Sequence, residues 1–597
     1  MLLGKYINGF YKKYWYFFLI GVITLIVVDV TQTFLPRFLG RIIDDGNLLI
    51  NDVSELGSII GWIMLCAVIM FVGRFLWRIS IFRASTGIAA SLRRKMFEKA
   101  EKLSPSYYHE NKVGNIMNWF TTDIEEVEDF MGWGTVMIID AIFLSASVIV
   151  SMVRLNIYLT IMALVPLLLI VVWGALVDRF MSKMWEARQK DFDRLYDFAQ
   201  ENFTGIRVIK SFVKQTMEIH AFAKIAKQNK HMNIKFARVS VLFDIFIEII
   251  LAVEITLLIG FGGYFVYCAS PAIARPVVLF GQEIQLTVGT LIEFVGYFDL
   301  IIWPMIAMGQ IVSMKSRAKG SLRRISAFLD TPIEINTEGG VEISDPKGCI
   351  EFKDFTFLYP GSKKAALSNV SLRIEPGEHI GIVGKVGSGK TTLANILFRL
   401  YNIDEGRVFI DGVDLMEASV PSVRSVISYA PQDNFLFSDT ITNNIAFSTE
   451  SPNAEEVRAA AAFADVASNI DAFPNGYDTV SGERGVTLSG GQKQRVSIAR
   501  AYYRKSPILV LDDCVSAVDL KTEETILANI KKLREGQTTL LIASRVSSVI
   551  HMDKIIVLND GKVDAFGTHE QCMKQSELYA RMVFLQELEK EVEGGAS

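Results

Sequence analysis

The distribution of apolar residues divides the chain near residue 320. Before that point six stretches are long and apolar enough to cross a bilayer, which takes about 20 helical residues. Stretch 17–36 carries one ionisable residue, Asp29, while 56–73 and 155–177 carry none. Stretch 130–153 carries Asp140, 249–274 carries Glu254, and 284–312 carries Glu293 and Asp299. The connections 74–129 and 178–243 contain few helix breakers, and structureless loops of that length would be unusual. They are expected to extend the spanning helices into the cytosol. Beyond residue 340 the pattern changes. Short β-rich runs at 350–359, 379–383, 508–511, 538–542 and 554–558 alternate with helical periodicity, which predicts an α/β domain with a largely parallel sheet. Residues 574–593 read as a closing helix.

Charge orients the first half. Nine Lys/Arg fall in 74–129 and thirteen in 178–243, against four (Arg37, Arg41, Arg154 and Arg275) in the alternate connections. The excess predicts that both termini and both long connections of this multi-pass protein are cytoplasmic. At the start, Leu3, Ile7, Phe10 and Tyr14 share one helical face opposite Lys5, Lys12 and Lys13. That reads as a short helix on the inner membrane surface, or as a simple flank of the first span.

Composition agrees. Half of the 597 residues are hydrophobic and 21% are charged; soluble domains average about 25% charged. The net charge of −4 gives no basic excess for a nucleic-acid partner. Five scattered cysteines form neither a disulfide framework nor a metal cluster.

One motif fixes the chemistry. Residues 384–391, Gly-Lys-Val-Gly-Ser-Gly-Lys-Thr, fit G-x-x-x-x-G-K-[ST] between the strand-like HIGIV and the helical TTLANILFRL. Gly384, Gly387, Ser388 and Gly389 form a loop whose backbone N–H groups can turn toward phosphates, at the positive end of a helix that starts near Thr391 and Thr392. Lys390 is expected to reach the β- and γ-phosphates of a nucleoside triphosphate, and the Thr391 hydroxyl to hold Mg²⁺. The apolar run 508–511 ends at Asp512, the expected second Mg²⁺ ligand.

Between these motifs lies Leu488-Ser489-Gly490-Gly491-Gln492. With it the whole chain resembles the ATP-binding cassette (ABC) transporter family, in the layout of an exporter half-transporter. The resemblance implies a transmembrane domain over 1–320, a linker at 321–340 and an α/β P-loop nucleotide-binding domain over 341–597. It implies coupling helices near 104–113 and 201–212, with ATP and Mg²⁺ as ligands. Tyr359 matches the aromatic that stacks on adenine, Gln432 the glutamine that joins Mg²⁺ to the membrane domain, and Glu483 the exporter-type loop. Asp519, in Ser516-Ala517-Val518-Asp519, matches the loop that crosses to the opposite site. In this family two cassettes close face to face, so that Ser489, Gly490, Gly491 and Gln492 of one complete the ATP site of the other.

Two positions depart from that pattern. The residue after the Mg²⁺ aspartate is usually Glu, which polarises the attacking water; here it is Asp513, shorter by one methylene. Misplacement by about 1 Å can cost ~100-fold in rate. Where the family places a histidine before Arg545, this chain has Ser544. An intact LSGGQ beside a weakened catalytic set resembles the degenerate-site subunit of heterodimeric bacterial multidrug exporters. The expectation is therefore a heterodimer whose second half-transporter supplies the catalytic Glu and His. A homodimer with two poor sites is the weaker alternative.

Amphipathic or hydrophobic compounds are the substrate class the resemblance implies, with lipids or peptides next. An ATP-gated conduit or regulatory subunit is the rival of a different class. Asp29, Asp140, Glu254, Glu293 and Asp299 are each expected to face protein or water, because a charge at the bilayer centre is costly. Each is either a structural partner or part of an acidic cavity for cationic amphiphiles. Glu254 and Glu293 are the favoured substrate candidates. Pro166 and Pro304 are expected to kink their helices.

Overall fold

The computed structural model describes residues 4–45, 53–270, 277–279, 282–284, 286–482, 488–516 and 518–594. Glu483, Ala517 and Arg275 lie outside them. The chain forms two compact units: residues 4–100 with 113–331, and residues 101–112 with 332–594.

The first unit is helical. It comprises α1 (Asn8–Gln32), α2 (Phe34–Asp44), α3 (Val53–Ala100), α5 (Val113–Leu155), α6 (Ile157–Thr204), α7 (Ile206–Ser211), α8 (Gln215–Ala269) and α9 (Val288–Asp330). The short helix α4 (Pro105–Glu110) groups with the second unit. Among the described residues four helical stretches are long and apolar enough to cross a membrane: Asn8–Asp44, Ser54–Ala100, Val113–Leu155 and Val288–Asp330. A shorter apolar stretch, Ile157–Leu169, opens α6, and the sixth expected stretch falls in α8. Asn156 caps α6, accepting the Tyr158 and Leu159 amides at 3.0 Å each. Pro166 and Pro304 sit inside continuous helices. The short β-pair Val277–Leu279 and Gln282–Ile284 precedes α9.

Close helix crossings fix the register of this bundle. A Cβ at Gly73 would come within 2.4 Å of Val28, and one at Gly21 within 2.5 Å of Ile81. The antiparallel α1–α3 pair therefore brings Arg74 and Arg78 level with the middle of the first apolar stretch. Counting them as cytoplasmic from sequence placed the inner end of the second stretch too early. At the other end of the pair, α2 and α9 touch so closely that a Cβ at Gly289 would lie 2.1 Å from the Gly40 carbonyl. Asp44 seals that contact, accepting the Gly289 amide at 2.7 Å and the Thr287 hydroxyl at 2.5 Å.

The amino-terminal segment corrects a second expectation. Helix α1 runs unbroken from Asn8, so Lys12 and Lys13 belong to the spanning helix. Ile7 and Phe10 are buried in protein. Lys5 Nζ and Tyr6 OH both donate to Asp330 Oδ1, at 2.8 and 2.6 Å, which ties the segment to the end of α9. There is no separate surface helix among the described residues.

The second unit carries a six-stranded sheet in the order Lys562–Gly567, Lys554–Asn559, His379–Gly384, Thr538–Ile542, Ile508–Asp512, Ile427–Ala430. Only the first pair is antiparallel. The four central strands are buried along nearly their whole length, as the continuous apolar runs require. A four-stranded antiparallel sheet packs alongside, built on Ile350–Phe357 and Leu367–Ile374. The closing helix is two helices, His569–Gln575 and Glu577–Gly594. Ser576 divides them, bonding Asp564 and accepting the Tyr579 amide at 3.0 Å.

Candidate functional site

The loop that leaves the His379–Gly384 strand bends back over the carboxyl ends of the parallel strands and enters the helix Lys390–Leu397. Its geometry requires glycine. Gly389 has φ of 98°, and a Cβ there would meet the Ala366 carbonyl at 2.6 Å. Lys390 folds back so that Nζ donates to the carbonyls of Gly384 (2.8 Å) and Lys385 (3.0 Å). Ser388 Oγ is buried without a partner among the described residues. The loop thus presents an unspent hydroxyl, a cation and a helix N-terminus to a cavity of about 360 Å³.

Tyr359, Gly387, Ser388, Gly389, Lys390, Thr391, Thr392, Gln432, Asp512, Asp513 and Ser544 all line that cavity. Adjacent parallel strands deliver the carboxylates and Ser544 from sequence-distant segments. Thr391 Oγ1 donates to Asp512 Oδ1 at 3.3 Å, and Tyr429 OH to its other oxygen at 3.3 Å. Burial pushes the Asp512 carboxyl above its ordinary range, and these two hydrogen bonds oppose the shift. Burial likewise lowers the Lys390 ammonium. A hydroxyl, a buried carboxylate and the Gln432 amide make an all-oxygen donor set that fits Mg²⁺.

Tyr359 stands at the cavity's side. Its hydroxyl donates to Thr392 Oγ1 at 3.0 Å, and its ring packs edge-on against Tyr401 with centroids 5.1 Å apart. It also lines a neighbouring pocket with Ser106, His109 and Glu110 of α4. In the same segment Ser104 Oγ donates to Glu334 at 2.5 Å.

Asp513 is pinned. It has φ of 48°, in the left-handed region that Asp tolerates better than most residues. Its amide donates to the Ile542 carbonyl at 2.8 Å. Its own carbonyl accepts from Gln494 Nε2 (3.0 Å) and Ser516 Oγ (2.9 Å). Its carboxylate accepts from Ser544 Oγ at 3.1 Å and Gln432 Nε2 at 3.5 Å. Sequence reasoning missed Gln494 and Tyr429, because nothing local marks a glutamine or tyrosine that buttresses another segment's carboxylate.

Six expected residues do not line the cavity, among them Gly384, whose carbonyl instead accepts from Lys390 Nζ. Ser489, Gly490, Gly491 and Gln492 open the helix Gly490–Tyr503 and do not line the cavity. Ser489 caps that helix, accepting the Gln492 amide at 3.2 Å while Gln492 Oε1 accepts the Ser489 amide at 2.9 Å. Asp519 also lies off the cavity, capping Leu520–Leu533 through the Thr522 amide at 3.1 Å. That backbone bond is the main reason its carboxyl sits low.

Residues 18–305 match the family model described as ABC transporter transmembrane region, and 367–516 match the model described as ABC transporter. The chain is 31% identical over 594 residues to a Bacillus subtilis protein, YheI, described as a probable multidrug resistance ABC transporter ATP-binding/permease protein; the match covers 99% of each. It is 30% identical over 585 residues to the ATP-dependent lipid A-core flippase of Thiobacillus denitrificans, covering 97% of each. The fold is similar to that of a bacterial Atm1-family ABC exporter with ATP bound, with a TM-score of 0.76 and 24% identity, covering 97% of this chain and 99% of that one.

Proposed function

Since the chain belongs to the ABC transporter family, as an exporter with fused transmembrane and ATP-binding domains, we propose that it is one half of a two-chain pump and the half whose own ATP site hydrolyses poorly. Asp513 carries this reading. The residue that would polarise the attacking water is one methylene short, and its backbone is held on both sides by hydrogen bonds from three segments. The backbone has no freedom to recover the lost reach, and a retreat of about 1 Å is worth ~100-fold in rate. Ser544 further engages the carboxylate.

In this reading the loop amides, Ser388 and Lys390 bind the phosphates, and Tyr359 supports the base. Thr391, Asp512 and Gln432 would hold Mg²⁺, which supplies charge neutralisation at the β- and γ-phosphates. Ser489 to Gln492 lie outside their own cavity and are free to close on a partner's nucleotide, with Asp519 on the crossing loop. The partner is a second half-transporter bearing the catalytic Glu and His. Helices α4 and α7 transmit cassette closure to six spans, counting α6 and α8, with both termini and the cassette cytoplasmic in a bacterial plasma membrane.

The cargo is an amphipathic or hydrophobic compound drawn from the cytoplasm or inner leaflet. The multidrug description of the Bacillus relative supports drug-like molecules, and the flippase supports a lipid as the second reading. The deciding measurement is ATPase activity in lipid, for this chain alone and paired with its neighbouring-gene half-transporter. Activity confined to the pair, and lost when the partner's catalytic Glu becomes Gln, supports the reading. Robust activity of the chain alone, abolished by Asp513→Asn, would replace it with a homodimer.

A further inference from the structure

Three of the five intramembrane acids converge. Asp29 of α1, Asp140 of α5 and Asp299 of α9 line one cavity of about 320 Å³ inside the first unit. The α1–α3 register delivers Arg74 and Arg78 to the same wall. None of these five charged groups is ion-paired within 4 Å to another among the described residues. Asp29 is 3% exposed with Oδ2 unpartnered, and Asp140 is 6% exposed with Oδ1 unpartnered. The indole N–H of buried Trp77 also lacks a partner. Trp303 Nε1 does donate to Asp140 Oδ2, at 2.9 Å, which fixes the carboxylate on the cavity wall. A five-residue-turn widening of α5 at Asp140–Leu144 supports the same aspartate, a local distortion often found at functional sites.

Buried polar atoms left without partners mark a site that something else satisfies. A metal ion does not fit, because no three acidic, His or Cys side chains among the described residues lie close enough to share one. Three acidic side chains against two guanidiniums leave one acid in formal excess, spread over a space of small-ligand size. Trp77, Trp133 and Trp303 add aromatic faces, which attract a diffuse cation. We infer that this open cavity, lined by helices of one chain, is a binding site for an organic monocation with apolar substituents, recognised by the buried Asp29 and Asp140 and admitted past the exposed Asp299. Arg74 and Arg78 tune it, opposing a dication and repelling the monocation enough to let it leave. The site rests on the transport reading above and narrows its substrate class. Glu293 and Glu254 are not part of it. Glu293 accepts from Tyr297 OH of its own helix at 2.9 Å, and Glu254 is buried off this cavity.

The test uses tetraphenylphosphonium and tetraphenylborate, ions matched in shape and opposite in charge. Binding of each to the full-length chain is measured by equilibrium dialysis in phosphatidylethanolamine/phosphatidylglycerol nanodiscs, with empty discs subtracted. Binding of a fluorescent ATP analogue is followed on the same samples. The expected result is saturable phosphonium binding that Asp29→Asn and Asp140→Asn each weaken by about tenfold or more. Arg74→Gln tightens it, Glu293→Gln leaves it unchanged, and tetraphenylborate does not compete. Asp299→Asn, at an exposed position, reads the charge without disturbing the packed bundle. Phosphonium binding that is unchanged in all three Asp→Asn variants, or displaced equally by tetraphenylborate, overturns the inference even if nucleotide binding is intact. Failure of the wild-type chain to bind the ATP analogue would instead sink the ATP-site reading above, while phosphonium binding still reports on the cation site.

Discussion

Ser544 donates a hydrogen bond to the Asp513 carboxylate across 3.1 Å, so the two positions that depart from the family pattern are one interacting pair. If the shortened acid limits hydrolysis, restoring its length restores turnover. Asp513→Glu is expected to raise the ATPase rate of the isolated chain by roughly 10- to 100-fold, and Asp513→Glu with Ser544→His by more than either change alone. Nucleotide affinity should stay within a few-fold of wild type, since Lys390 and the phosphate loop are untouched. Steady-state ATPase assays and nucleotide titration check both parts. An Asp513→Glu chain no faster than wild type would mean that the block lies elsewhere.

The site was legible where its chemistry is contiguous. The loop 384–391 and the run ending at Asp512 announce themselves because a phosphate cradle needs adjacent residues of fixed type. What holds Asp513 was largely invisible: Ser516 is a local loop contact, but Ile542 and Gln494 reach it only through the neighbouring strand and helix. The membrane half shows the same division. Each acidic residue was evident against its apolar stretch, but their gathering depends on the packing of α1, α5 and α9, which are distant in sequence. Glu293, favoured on sequence, accepts from Tyr297 one helical turn on, a local partner its apolar stretch does not announce. The strands missed by periodicity, such as Val408–Ile410 and Lys562–Gly567, are short or partly exposed.

Asp512 carries a stability cost. Burial raises its carboxyl above the usual range. An acid whose folded value exceeds its unfolded one weakens the fold when ionised: the penalty is absent below the unfolded value, about 4, and grows as pH rises through the folded value. Asp512→Asn should therefore raise the nucleotide-free unfolding temperature of the cassette at neutral pH, by about 2–4 °C for each kcal/mol relieved. The gain should shrink toward pH 4, and Mg²⁺-dependent nucleotide affinity should be lost. Thermal scans at several pH values with and without Mg²⁺-ATP measure this. A variant less stable than wild type at every pH would refute it.

Asp123 makes the strongest polar tie between α5 and α9. It sits buried where α5 widens at Trp119–Asp123 and accepts from Arg324 Nε (2.8 Å), Arg324 Nη2 (2.5 Å) and Ser321 Oγ (2.9 Å). Asp123→Ala is expected to cost about 1–3 kcal/mol, most of it from losing charge-assisted bonds. Because Arg324 is half exposed, its unpaired charge can turn to water, so the double variant with Arg324→Ala should cost little more than Asp123→Ala alone. Denaturation of the four proteins in one detergent closes the cycle. Strict additivity would show that the pair is not coupled.

Ser489 offers the cleanest separation of the two ATP sites. It caps its own helix and lies outside its own chain's cavity, so a substitution there should not touch the nucleotide this chain binds. Ser489→Arg puts a bulky cation where a partner's γ-phosphate would dock, and it also removes a cap worth about 1 kcal/mol to the helix. Ser489→Ala removes the cap and the hydroxyl without adding bulk or charge. The expectation is that both variants bind nucleotide like wild type as isolated chains. In the pair, Ser489→Arg, which adds bulk to the same lost donor, should lower ATPase by about 100-fold or more, and Ser489→Ala by less. Equal losses from the two variants would assign the effect to the lost hydroxyl rather than to obstruction of the partner's site. A pair that keeps full activity with Ser489→Arg would mean that this signature completes no working site, and the division of labour between the chains would have to be reversed.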